Sequence, residues 1–571
     1  MKKTLLALAL LLAGAGYVFL QTTTPAPKLA TLMPSGALLY LEAPDFAGLL
    51  RDWDASKVKS DWLKSDNYSV FSRSNLFSKL QEVYGQYGDA AGFLPDFKSV
   101  LGIAGTNSAL ALYGIRDVEF LYISRIGDTA FMQSQLWAVR DKFQQREAGG
   151  VSFYLRTDTA SKRTVAFAFT KGYLVLATRD DLVAQALQLM AGGRDPSIAS
   201  DRWYRDSTAA ASTPGELRLV MNLETIVESV YFRSYWIQRN ASVVSRYSAG
   251  ITDLKRADGN FIESRVFLRA PDAEPAGAGP VIVSNLLALV PPEAGMYKAS
   301  RVDQPRDVAA LIVEKLIAPQ PQRTRDWRDA PSAVSPDSNP GSEGDLETHI
   351  DEQPLPPDAG ISESTSATRA MLEMPGVHSL LLVQSSSLDA GTFIRIPTVI
   401  VLDGSQDWDR DAVRTALAAA AGKLWTTSQL GAGWVAGTAG RHPIEHLDGL
   451  GTLVFANSGQ LLFLSNDTRL LAAVMDRAAT TPPVGPFTYA AGFQHLRERP
   501  NYARVMTALD FTSPAANRGL VDTGPSDVAP AFFSGNIASL SRVLSNLAAI
   551  RITQEERGNS TLQTVLYQMV R

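Results

Sequence analysis

His442–His446 reads HPIEH, which matches the H-x-x-E-H string of the inverted zinc peptidases. That chemistry requires two imidazoles on one helical face, a general-base Glu between them and a third ligand further along the chain. Here Pro443 follows the first His, and Gly440 and Gly449 bracket the segment. The pattern predicts a hairpin loop and no helix. A metal-dependent hydrolase with Glu445 as base and His442 and His446 as ligands is therefore the third of three functional readings.

Two serine motifs invite a different chemistry. Ser56–Lys59 supplies S-x-x-K and Ser65–Asn67 supplies S-D-N, two of the three penicillin-recognising motifs, but no K-T-G follows. In those enzymes the motifs come from separate elements, and here they are a few residues apart. His349 lies in the stretch expected to be a disordered insert, and His378 and His495 have no acidic or His partner at ligand spacing. No catalytic residue, metal ligand or cofactor is assigned. Asp180 and Asp467, which occupy equivalent places in two similar stretches, are expected as helix caps.

A binding chemistry has better support. Tyr231, Phe232, Tyr235 and Trp236 crowd around Arg233 within VYFRSYWIQRN, and Phe532-Phe533 precede a late helical stretch. Tyr, Trp and Arg are the types favoured at interaction surfaces. Aromatics at helical spacing also serve as core, because they bury so much area. Tyr231, Phe232, Arg233, Tyr235, Trp236, Phe532 and Phe533 form the candidate binding patch.

The elements that must position these residues occur twice. KGYLVLATRDDLVAQA (171–186) is echoed by SGQLLFLSNDTRLLAA (458–473), an offset of 287 (459 − 172). LMPSGALLYL and LVPPEAGMYK match at 257 (289 − 32), Val220-Met221 and Val505-Met506 at 285 (505 − 220), and the closing strands at 299 (558 − 259). Four blocks in one order predict two tandem copies of a domain, at a period far beyond solenoid units. Within the first copy, apolar runs of strand length are expected at 37–43, 109–113, 119–125, 151–155, 164–169, 173–178, 216–223 and 261–268. Helical pattern covers 53–101 with breaks at Gly85, Gly88, Gly92 and Pro95, then 129–146, 180–190 and 223–247. Closely spaced strands with intervening helices indicate an α+β domain with antiparallel sheet.

The expected division is a signal peptide or signal anchor at 1–21, a tether at 22–30, repeat one at 31–269, a linker at 270–280 and repeat two at 281–571. Met1–Leu20 carries Lys2 and Lys3 and then no charge, the pattern of an export signal. Ala13-Gly14-Ala15 offers a cleavage site; uncut, the hydrophobic helix reaches the short limit of a membrane span. Residues 319–362, rich in Pro, Ser, Asp and Glu, are expected as a disordered insert.

With 571 residues, net charge −4 and no cysteine, the chain lacks a basic footprint for nucleic acid and excludes disulfides and thiolate chemistry. The stretches LMPSGALLYLEAPDFAGLL, ALALYGIRDVEFLYISR and FAFTKGYLVLATRDDL resemble a domain-of-unknown-function family of exported bacterial envelope proteins with a duplicated domain. The resemblance implies periplasmic or envelope location and architecture, and carries over no catalytic residue. Three functions are expected in order: a non-catalytic envelope protein, tied to the membrane by its N-terminal helix, that binds or scaffolds a protein partner; a carrier or sensor of an apolar, lipid-like ligand; and the hydrolase.

Overall fold

The computed structural model describes residues 28–228, 244–271, 281–318, 359–373, 376–385, 396–425, 433–448, 452–478, 482, 485–499 and 544–570. Two compact units result: Met1–Pro275 with Ala538–Asn546 and Arg557–Arg571, and Ala276–Ile537 with Leu547–Glu556. Both are mixtures of helix and antiparallel sheet. The segment 1–21, the linker residues 272–280 and the insert residues 319–358 lie outside the described residues.

The first unit contributes β1 (Leu39–Ala43), β2 (Asn107–Gly114), β3 (Glu119–Arg125), β4 (Gln144–Ala148), β5 (Val151–Thr157), β6 (Thr164–Thr170), β7 (Tyr173–Ala177), β8 (Leu217–Met221), β9 (Tyr247–Ala257) and β10 (Asn260–Arg269). They pair antiparallel in the order β4-β5-β6-β7-β3-β2-β1-β8-β9-β10. The middle of the sheet is buried on both faces, so β3, β6 and β7 are nearly continuous apolar runs instead of alternating with polar residues. On β6, Val165 and Phe167 pack against Ala90, Ala91, Phe131 and Leu136, while Ala166 and Ala168 on the other face join Leu182, Val183 and Leu187. Large residues thus face one helical layer, and alanines let the helix Asp180–Met190 approach the other face.

The second unit contributes β11 (Met296–Arg301), β12 (Val377–Gln384), β13 (Thr398–Gly404), β14 (Gly433–Ala439), β15 (His442–Asp448), β16 (Thr452–Ser458), β17 (Leu461–Ser465), β18 (Phe487–Gln494) and β19 (Leu547–Arg557). Their order is β14-β15-β16-β17-β13-β12-β11-β18-β19. Leu380, Leu382, Ile400 and Leu402 pack with Leu417, Ala420 and Trp425, and Leu381, Val383, Val399 and Val401 pack with Leu470, Leu471 and Val474. The last strand, β20 (Ser560–Met569), belongs to the first unit, where it pairs antiparallel with β10.

Several local expectations change. Gly85 and Gly88 lie inside one helix, Asn75–Ala91, which ends only at Gly92 in the left-handed conformation (φ 78°). Residues 129–146 are two short helices, a 3-10 turn and the start of β4. Breaks at Ser134 and Val139 arise because the Ser134 side chain caps a new helix from Trp137 N–H (3.2 Å). Tyr247 begins β9, and the helix from Leu223 is described only to Glu228. At the end of the expected tether, Leu29 and Ala30 are fully buried in a 3-10 turn. The helix Ala359–Glu373 starts within the expected insert, and on it Ser364 Oγ donates to Ala420 O (2.7 Å).

Candidate functional site

HPIEH forms β15, paired with β14 and β16, not a hairpin loop. A strand's period of two sends His442, Ile444 and His446 to one face and Glu445 to the other. Glu445 is buried (7 % exposed) and bound by Arg410 Nη2 (2.6 Å) and Arg414 Nε (3.0 Å). His442 Nε2 meets Asp476 Oδ1 at 2.9 Å on the opposite side. That hydrogen bond, helped by Arg441, holds the Asp476 carboxyl below its usual range. The would-be base and the would-be ligands are separated by the sheet itself. Among the described residues, no three His, Asp or Glu side chains converge on a metal-sized site.

The serine motifs are helix caps. Ser56 Oγ accepts from Lys59 N–H (3.2 Å) and donates to Trp53 O, while the Lys59 ammonium is paired with Asp54. Ser65 Oγ accepts from Tyr68 N–H (3.1 Å) and donates to Trp62 O (2.6 Å). Of the two aspartates expected to cap, Asp467 does so, accepting from Arg469 and Leu470 N–H at 3.0 and 2.9 Å. Asp180 instead lies one residue inside its helix, and its carboxylate binds Arg146 (2.6 Å). Arg146 is available at β4 to draw it away from the cap geometry.

An apolar cavity of about 140 Å³ lies in the first unit between the helices Asn75–Ala91 and Phe97–Ile103 and the sheet. Tyr87, Ala91, Phe93, Val100, Phe120 and Leu176 line it, among others. Its polar wall groups are occupied: Tyr87 OH donates to Asp117 O (2.9 Å), Ser99 Oγ to Gln135 Oε1 (2.9 Å), and Thr178 Oγ1 accepts from Phe120 N–H (2.9 Å). What remains is a hydrocarbon surface. The turn that clamps Tyr87 contains Val118 at φ 53°, a conformation that costs a β-branched residue about 1–2 kcal/mol. Arg163 braces the same turn by donating to Asp117 O (2.8 Å) while lying over the Tyr87 ring.

The stripe of that helix which carries Tyr87 and Ala91 to the cavity continues toward its N-terminus, where it is exposed. Leu80 is 53 %, Tyr84 46 % and Leu94 61 % exposed. Leu80, Tyr84 and Gly88 recur at i, i+4 and i+8, so they share one stripe. A Cβ on Gly88 would come within 2.8 Å of Leu94 Cδ1, so the missing side chain lets Leu94 continue the row. Trp53, Leu63, Phe97 and Met132, from the same helical part of the chain, are exposed as well.

Beneath the helix Arg202–Ala210 a row of ionisable groups crosses three strands. Register places Glu42 opposite Arg218 and Arg218 opposite Asp253. Arg218 grips Asp253 through both nitrogens (2.7 and 2.8 Å) and also donates to Ser212 O (2.9 Å). Burial raises the Glu42 carboxyl, opposed in part by Arg218 and Lys28. Burial also pushes the Tyr204 phenol up to about 12. In the second unit the strand positions that follow the match of Tyr40 with Tyr297 hold Ala299, Ala490 and Thr553. The ionic row is thus a property of the first unit alone.

Tyr231, Phe232, Arg233, Tyr235, Trp236, Phe532 and Phe533 lie outside the described residues. The sequence reading missed the exposed stripe because it took Gly85 and Gly88 as helix ends; the i, i+4 spacing of Leu80 and Tyr84 was the available signal. No family model and no curated protein matches the chain. Among solved structures it is similar to TP0453 in crystal form I, at 12 % identity over 44 % of this chain and 82 % of that one (TM-score 0.24). Crystal form III gives 11 % identity over 43 % and 82 % (TM-score 0.25). At that level the likeness carries no argument about fold or function.

Proposed function

We propose that this chain is a non-catalytic cell-envelope protein that binds a protein partner through the helical side of its first unit. The exposed stripe of Leu80, Tyr84 and Leu94 carries the reading. The apolar face of this helix runs on beyond the part that the first unit covers, and an exposed apolar row marks an interaction site. Export by the N-terminal segment, with anchoring or release, belongs to the same proposal, as does kinship with the envelope family named above. So does descent from one duplicated domain. Its support is the strand order, which runs outer hairpins first and β1 or β11 in the middle in both units.

The test is recovery of the tagged full chain from gently solubilised envelopes, beside Leu80→Ser and Leu94→Ser variants. A protein recovered stoichiometrically with the wild type and lost with both variants supports the reading. Equal recovery with all three removes it.

The 140 Å³ cavity favours a second reading, an apolar ligand. It is well below the roughly 300–1,000 Å³ of drug-sized sites, so it fits one ring or the end of an acyl chain. Lipid in the eluate that disappears in an Ala91→Leu variant would support this reading; lipid retained at wild-type level would remove it.

A further inference from the structure

We propose that β14 is a pairing edge through which two copies of this chain associate. β14 is the outermost strand of the second unit's sheet, and among the described residues β15 is its only strand partner. An outermost strand leaves one row of backbone N–H and C=O groups open, and natural proteins blunt such rows with charge, Pro or covering elements. The first unit follows that rule: its outermost strand β4, QQREA, carries Arg146 and Glu147, and Arg146 is held by Asp180. The second unit breaks it. β14, GWVAGTA, has no charged residue and no Pro, and Val435, Ala436, Gly437 and Thr438 are exposed, Val435 at 54 %. One strand order therefore carries a guarded edge and an unguarded one.

The open row calls for an extended, uncharged backbone, which a second β14 supplies. Two-fold symmetry is the commonest arrangement for identical chains, and antiparallel strands satisfy it. Full overlap of the seven residues places Ala436 opposite itself, Val435 opposite Gly437 and Trp434 opposite Thr438. No like charges meet, and each large side chain faces a smaller one. On the face shared with Ile444 and His446, Val435 and Gly437 border a groove of about 390 Å³ against Asn466, Asp467 and Thr468. That groove leaves room for the side chains of an added strand. A short strand pair buries far less than the roughly 1,600 Å² of a standard interface, so the association is weak and concentration-dependent.

The chain has no cysteine, so a single introduced thiol reports its own symmetry mate. Ala436→Cys brings two thiols together at a Cα separation of about 4.5 or 5.5 Å, within disulfide reach. Thr438→Cys places them four residues apart along the strands, about 13 Å, out of reach. The full chain in mild detergent, oxidised and run without reductant, is expected to give a covalent dimer with Ala436→Cys and none above background with Thr438→Cys. Sedimentation of the wild type is expected to show a monomer–dimer equilibrium that Ala436→Lys weakens at least tenfold, with an unchanged far-UV circular dichroism spectrum. Equal cross-linking by the two thiols, a wild type that stays monomeric at all concentrations, or undiminished dimer in Ala436→Lys would overturn the proposal.

Discussion

Removing one member of the Arg218–Asp253 pair should destabilise the first unit far more than removing both. The two side chains are 9 % and 2 % exposed and bind through two parallel hydrogen bonds, with Gly215 N–H adding a third to Asp253 (3.1 Å). Asp253→Ala strands a guanidinium among Val220, Ile251 and Tyr204, where an unpaired buried charge costs about 3–5 kcal/mol. With a urea dependence of about 2 kcal/mol per molar, the midpoint should fall by about 1.5–2.5 M. Arg218→Met combined with Asp253→Leu deletes both charges at similar volume and should stay within about 1 kcal/mol of the wild type, or exceed it. The second unit already carries neutral residues along the equivalent row. Urea unfolding of the full chain, followed by circular dichroism, measures both. A single-variant loss under about 1 kcal/mol would mean that the pair is hydrated in solution. A double variant as unstable as the single one would mean that the ion pair itself is a net stabiliser.

Asp467→Ala should cost about 1 kcal/mol through its lost cap, whereas Asp180→Ala should cost a few tenths, because its ion pair with Arg146 is half exposed; matching losses in thermal unfolding would contradict the assignment of the two carboxylates. Val118→Gly should gain about 0.5–1 kcal/mol, the left-handed penalty of about 1–2 kcal/mol less the entropy glycine adds to the unfolded chain, and a loss would show that the valine side chain is needed for packing. Glu42 has a raised carboxyl in the folded state, so the native chain holds its proton longer than the unfolded chain does. Its contribution is complete below the ordinary Glu value of about 4.3 and is lost as pH rises through the folded value. Glu42→Gln should therefore flatten the fall in stability from that value toward neutrality, and a slope equal to the wild type would refute the sign.

The strands were legible because burial on both faces leaves short, continuous apolar runs bounded by polar turns. The stretches 119–125, 164–169 and 173–178 coincide with strands to within a residue. β9 was not legible: its Tyr247–Ala257 run mixes Asp253, Lys255 and Arg256 with apolar residues, and the reason for Asp253 lies 35 residues away at Arg218. HPIEH misled in secondary structure because Pro443 and the flanking glycines mark a turn, yet Pro443 sits in a strand and the turn falls at Gly440 (φ 58°). The cavity and the exposed stripe depend on how one helix is rotated over the sheet. Composition does not contain that rotation.

The pairing of β20 with β10 also sets a clock. Asn260 Oδ1 accepts from Met569 N–H across 309 residues of chain, so one edge of the first unit's sheet waits for residues synthesised long after the rest of that sheet. At about 5–20 residues per second, the delay is about 15–60 s. For that interval β10 presents Phe261, Ile262, Phe267 and Leu268 beside an unfilled strand position, the period in which a nascent chain most needs shielding from its neighbours.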